Sequence, residues 1–131
     1  MKRRTCLGLC AGVLSSGCLG QTDQPTTNIA WIHLRNNRDQ ARDVTVGIER
    51  NGGEVFRETY QLGTSGERST RRIDDPVNGA GHYTVYFDIG DQVVHLHPSE
   101  YADVPEPCVG IQYAFHEQET TEFELKRMGE C

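Results

Sequence analysis

The chain has 131 residues, 13 Lys+Arg against 19 Asp+Glu, and a hydrophobic content of 36%. That length suits one folded domain, and the acidic balance disfavours nucleic acid, whose binding rests on clustered Lys and Arg neutralising phosphates. No run after Cys18 is apolar enough to span a bilayer, which takes about 20 residues.

The first element is a leader. Lys2, Arg3 and Arg4 open the chain, an apolar stretch runs from Cys6 to Leu14, and Ser15, Ser16 and Gly17 lead into Cys18. A charged start, a short apolar centre and a small-residue exit are the parts of a secretory signal peptide. "RRTCLG" resembles a twin-arginine export signal through Arg3 and Arg4 followed by apolar Cys6 and Leu7. "SSGC" resembles a lipobox, whose cysteine becomes the first mature residue and carries a thioether-linked lipid. Together they resemble the leaders of haloarchaeal surface lipoproteins. Two positions depart from that pattern: the lipobox leucine stands one place early at Leu14, and Cys6 stands where a phenylalanine is usual. The resemblance implies that residues 1–17 are removed and that a lipid on Cys18 holds the chain to the outer face of the cell membrane.

Cysteine arithmetic agrees. Cleavage before Cys18 discards Cys6 and Cys10, lipidation occupies Cys18, and Cys108 and Cys131 remain as an even pair in an exported domain, where disulfides persist. Losing Lys2, Arg3 and Arg4 leaves 10 basic residues against 19 acidic, a net of −9, and Lys126 is then the sole lysine. A surface so acidic and lysine-poor is expected of a protein kept soluble at high salt. Residues 18–28 are polar and aperiodic after the cysteine and read as a tether. Residues 29–131 are expected to form one domain.

That domain alternates with period two. In "NIAWIHL" Ile29, Trp31 and His33 oppose Ala30, Ile32 and Leu34; in "DVTVGIE" Val44, Val46 and Ile48 share a face. "NGG" at 51–53 supplies a hairpin turn before "EVFRETYQL", with Phe56, Tyr60 and Leu62 on one side. "STRRID" is a weaker strand. "HYTVYFDI" aligns Tyr83, Val85 and Phe87; Gly90-Asp91 turns the chain into "QVVHLH". "CVGIQYAF" aligns Val109, Ile111, Tyr113 and Phe115, and "TEFELKR" ends the series with Phe123 and Leu125. No segment longer than a turn shows a helical period. The expectation is an all-β fold, an antiparallel sandwich of seven to eight strands. "GAGHYTVYF" at 79–87 resembles the G-x-Y-x-C stretch of immunoglobulin-like domains with Val85 in the cysteine's place. The resemblance implies an immunoglobulin-like sandwich in which Tyr83 is the corner tyrosine, bonding back to the preceding turn.

Catalytic signatures are missing. There is no Gly-x-Ser-x-Gly, no phosphate loop and no HExxH, and Cys108 to His116 is too wide for a blue-copper ligand pair. No cofactor and no enzymatic activity are expected. "HLH" at 95–97 is the one constellation with ligand chemistry, since histidines at i and i+2 on a strand point the same way. With a two-residue turn at Gly90-Asp91, Tyr86 faces His95 and Thr84 faces His97, which brings His82, His95 and His97 together with Glu100 nearby. "GDQVVHLHPSE" faintly resembles the first cupin motif, but the second is absent. The expected function is a membrane-anchored extracytoplasmic binding or structural module of the cell envelope, with the lipid bilayer and an envelope protein as partners. The alternative is a metal-binding surface protein using His82, His95 and His97.

Overall fold

The computed structural model describes residues 26–100, 108–117 and 120–128. The leader with Arg3, Arg4 and Cys18, and the chain end with Cys131, lie outside the described residues. Eight strands follow in order: β1 (Asn28–Asn36), β2 (Arg42–Arg50), β3 (Gly53–Leu62), β4 (Thr70–Asp74), β5 (Tyr83–Asp88), β6 (Val93–Leu96), β7 (Cys108–Phe115) and β8 (Thr121–Met128). Two short 3₁₀ turns, Gly66–Ser69 and Pro98–Glu100, are the only helical turns among the described residues. No helix there is long and apolar enough to cross a membrane.

The strands form two four-stranded sheets, ordered β4-β1-β7-β8 and β3-β2-β5-β6. Every pairing is antiparallel except β1 with β7, which run parallel. The all-β expectation therefore holds. In the constant-type immunoglobulin arrangement the first and second strands share a sheet and the third lies opposite. Here β1 lies in the sheet opposite β2, and β3 hydrogen-bonds to β2.

One apolar interior joins the sheets. Ile32 and Leu34 from β1, Val44, Val46 and Ile48 from β2, Val85 and Phe87 from β5, and Ile111, Tyr113 and Phe115 from β7 are all buried in a single cluster. The Phe87 and Tyr113 rings stack across the two sheets, 4.2 Å between centroids and 5° from parallel. Phe56, Tyr60, Phe123 and Leu125 close the cluster from the edge strands. Burying each large side chain is worth about 1.5–3 kcal/mol, so this alternation sets the register of the sheets.

Strict alternation fails at Ile29. Ile29 is fully buried beside Ile32 and Leu34 and does not share the outward face of Trp31 and His33. The β1–β7 register shifts between Ile29 and Trp31, and this β-bulge inserts Ala30 and returns Ile29 to the core. Turn chemistry sets two hairpins. Asn51 (φ 52°) and Gly52 (φ 87°) are the left-handed pair of a type I′ turn, and Gly90 (φ 98°) opens the β5–β6 turn. At the head of β5, the Tyr83 hydroxyl donates to the Gly79 carbonyl at 2.7 Å, the backward bond expected of a corner tyrosine.

Candidate functional site

A buried polar knot closes one end of the sandwich. Asn36 Nδ2 donates to the carbonyls of Gln40 and Gly63, both at 2.9 Å, and its Oδ1 accepts from the Arg38 amide at 2.9 Å. Arg38 is only 6% exposed. Its Nε donates to the His116 carbonyl at 2.8 Å, its Nη1 to Asp91 Oδ2 at 3.0 Å, and its guanidinium lies over the Phe115 ring. Arg42 reaches the same Asp91 oxygen at 3.2 Å. The bond from Arg38 holds the Asp91 carboxyl below its ordinary pKa, with help from the charges of Arg38 and Arg42. This knot ties the β1–β2, β5–β6 and β7–β8 connections together, and leaves Arg38 Nη2 buried without a hydrogen-bond partner among the described residues.

The outward face of β3-β2-β5-β6 holds the histidines singled out in the sequence. Their register is as expected, with Val85 opposite Leu96 and Tyr86 opposite His95. His95 lies tilted against the Tyr86 ring at 6.0 Å, and His97 Nδ1 is 3.1 Å from Thr84 Oγ1. Yet no group of three or more His, Cys, Asp or Glu among the described residues is placed to hold a metal ion. The three-histidine cluster does not form. β6 ends at Leu96 and β5 begins only at Tyr83, so His97 and His82 both sit beyond the ladder that was to align them. Glu100 lies in the 3₁₀ turn, its amide bonded to the His97 carbonyl.

The same face bears a broad groove of about 990 Å³, lined by Asp43, Thr45, Thr59, Gln61, Arg68 and Asp88 among others. Much of its polarity is satisfied locally. Thr45 and Thr59 share a hydrogen bond at 2.8 Å, Asp88 accepts from the Gly90 amide at 2.8 Å, and the Arg71 guanidinium lies over Tyr60.

The opposite outward face, on β4-β1-β7-β8, is organised in cross-strand rows. Register places Arg72, His33, Gln112 and Glu124 in one row, and Thr70, Arg35, Ala114 and Glu122 in the next. A third row runs Asp74, Trp31, Gly110, Lys126. The small residue Ala114 and half-buried Gln112 form the floor of a trough of about 370 Å³, walled by His33 and Arg35 on β1 and by Glu122 and Glu124 on β8. That volume is within the range of small-ligand sites, roughly 300–1,000 Å³.

The two walls carry opposite charge. Arg35 bonds Asn37 Oδ1 at 3.0 Å and has no acidic partner among the described residues. Burial, then the nearby Arg72 and Arg35, push the His33 pKa below its ordinary value, so its ring is neutral at pH 7. On the other wall Glu122 meets His116 Nε2 at 3.1 Å and Glu124 meets Lys126 at 3.5 Å. Alternation alone marks these residues as outward-facing. What the sequence did not show is that β1 and β7, distant in the chain, lie side by side and parallel. Comparison with protein-family models, curated proteins and solved structures finds no match, so the site is read from its own geometry. Fold and surface together define a β-sandwich of two four-stranded sheets with a charge-divided trough on one face.

Proposed function

We propose that the chain is a membrane-anchored extracytoplasmic lipoprotein whose β-sandwich serves as a non-catalytic binding module of the cell envelope. The observation that carries this is the order of residues in the leader: Arg3 and Arg4, a nine-residue apolar run from Cys6 to Leu14, then small residues and Cys18. That run is too short to span a bilayer, which takes about 20 residues, and suits a cleaved signal. Two hydrocarbon chains on Cys18 would anchor the protein stably where one holds only marginally. The acidic mature composition suits a salt-rich exterior, and the backward-bonded Tyr83 supports kinship with immunoglobulin-like sandwiches. The metal-binding alternative is the weaker reading, because no three His, Cys, Asp or Glu among the described residues are grouped to hold an ion.

Within this reading Cys108 and Cys131 form a disulfide. Cys108 is fully buried and lies in register opposite Met128, three positions before Cys131 in the sequence. Closing this loop stabilises by about 3 kcal/mol in the chain-entropy model. Mass spectrometry of the native protein tests the anchor, with Cys18→Ser as control. A lipid-modified N-terminal Cys18, and loss of detergent partitioning in the variant, are expected. Equal partitioning of both forms would sink the proposal. Non-reducing peptide mapping should recover the linked cysteine pair.

A further inference from the structure

We propose that the trough over Gln112 and Ala114 binds a small zwitterion of the α-amino-acid class, its carboxylate on Arg35 and its ammonium on Glu122 and Glu124. This rests on the binding-module reading and not on the anchor, so an unlipidated protein would leave it standing.

Charge division decides the ligand class. β1 and β8 flank β7, so the two walls rise from backbones two strand spacings apart, about 9.5 Å. Arg35 offers N–H donors on one wall, and Glu122 and Glu124 offer carboxylates on the other. An α-amino acid presents a carboxylate to the first and an ammonium to the second. A simple anion would reach one wall and be repelled by the other, and so would a simple cation.

Among the described residues the chain does not bridge the gap. The row Arg35–Ala114–Glu122 has a cation at one end and a carboxylate at the other, the row His33–Gln112–Glu124 a neutral imidazole and a carboxylate, and no ion pair there joins the two walls. Arg35 is the donor fork suited to a carboxylate, because its guanidinium presents paired N–H groups and only Nε is used, on Asn37. Neutral His33 beside it offers a ring nitrogen without competing for the anion. His116 Nε2 lies 3.1 Å from Glu122 Oε1 without the alignment of a hydrogen bond, and its Nδ1 is 3.4 Å from Asn37 Nδ2.

Isothermal titration of the full chain in detergent with glycine and L-alanine tests this, with acetate and methylammonium as single-charge probes. Saturable binding of the amino acids is expected, with each single-charge probe at least tenfold weaker. Arg35→Ala is expected to weaken glycine binding by about tenfold or more and Glu122→Gln by a smaller factor, because a charge-assisted bond is lost in each. Both side chains are on the outer surface, and an unchanged thermal midpoint confirms that the variants fold. No heat with either amino acid up to 10 mM (about −2.7 kcal/mol of binding or weaker) overturns the proposal. Acetate binding as tightly as glycine, or Arg35→Ala binding as tightly as the parent, overturns it too.

Discussion

The two outward faces carry the same device and use it differently. On each, a glycine in a central strand lies beneath an aromatic ring that a Cβ would displace: Trp31 over Gly110, and Tyr86 over Gly47. Glycine weakens a strand because it has no side chain to pack, and an aromatic neighbour laid over it restores the contact. On the β2–β5 face the Tyr86 ring crosses Gly47 to reach the next strand. Its hydroxyl accepts from Arg57 and donates to Glu54, both at 3.0 Å, which closes a charged triangle. On the β1–β7 face Trp31 crosses Gly110 with Arg72 over its ring, but has no hydroxyl with which to draw the other wall in. The adjoining rows stay open. One face joins its charges across three strands; on the other, Glu122 meets His116 and Glu124 meets Lys126, and among the described residues no ion pair crosses β7 to Arg35.

The comparison presumes a shared interior, and breaking that interior should have the largest effect. Phe87→Ala removes one half of the ring stack between the sheets and should cost about 3–5 kcal/mol. Urea unfolding followed by circular dichroism and by Trp31 fluorescence should shift to lower midpoint together in both signals. Separate transitions would mean that the two sheets are independent units.

Removing the Arg38 knot comes next. Arg38→Met keeps the contact with Phe115 but leaves the His116 carbonyl without its buried donor, at about 1–3 kcal/mol. The variant should also respond less to acid. Because Asp91 is held below its ordinary pKa in the folded protein, its contribution is full above about pH 4, near the unfolded carboxyl value, and fades as pH falls through the folded one. The gap in urea midpoint between parent and variant should narrow from pH 4 downward. A gap that is constant down to pH 2 would show that Asp91 is not coupled to Arg38.

Glycine replacements separate the faces directly. Gly110→Ala and Gly47→Ala should each cost about 1–2 kcal/mol as a ring is pushed off its seat. The chain has a single tryptophan, so only Gly110→Ala should move the emission maximum to the red. A red shift in Gly47→Ala would mean that the faces are coupled through the core.

Much of this fold was legible in the sequence because burial has period two: Val44, Val46 and Ile48, or Val109, Ile111, Tyr113 and Phe115, can face the core in only one register. The turns at Asn51-Gly52 and Gly90-Asp91 were equally plain, since glycine, and asparagine to a lesser degree, take positive φ readily. Ile29 was misplaced because a bulge depends on the partner strand, and that partner, β7, is 80 residues away by register. The trough was hidden for the same reason. His33, Arg35, Glu122 and Glu124 are unremarkable outward residues until the β1–β7 pairing puts them in rows. The histidine cluster failed the opposite way, because local register was right but His82 and His97 fell just past the strand ends.

The smallest expected effect distinguishes two core-facing tyrosines. Tyr83 donates to the Gly79 carbonyl, and Tyr83→Phe should cost about 1 kcal/mol for that bond. Tyr113 is buried beside Phe87, and its hydroxyl has no partner among the described residues. Tyr113→Phe keeps the ring stack and removes an unsatisfied polar atom, so it should be neutral or slightly stabilising at pH 7. Tyr113→Phe should depart further from the parent in alkali. Burial pushes the Tyr113 phenol up to about 12, against about 10 in the unfolded chain. The folded state keeps its proton there while the unfolded state gives it up, so the parent loses stability as pH rises from about 10 to about 12. Tyr113→Phe has no such proton and should lose less over that window. Urea midpoints at pH 9, 10 and 11 measure both slopes. Parallel slopes for parent and Tyr113→Phe would show that this hydroxyl is hydrated, and that the core between the two faces is open to water at that point.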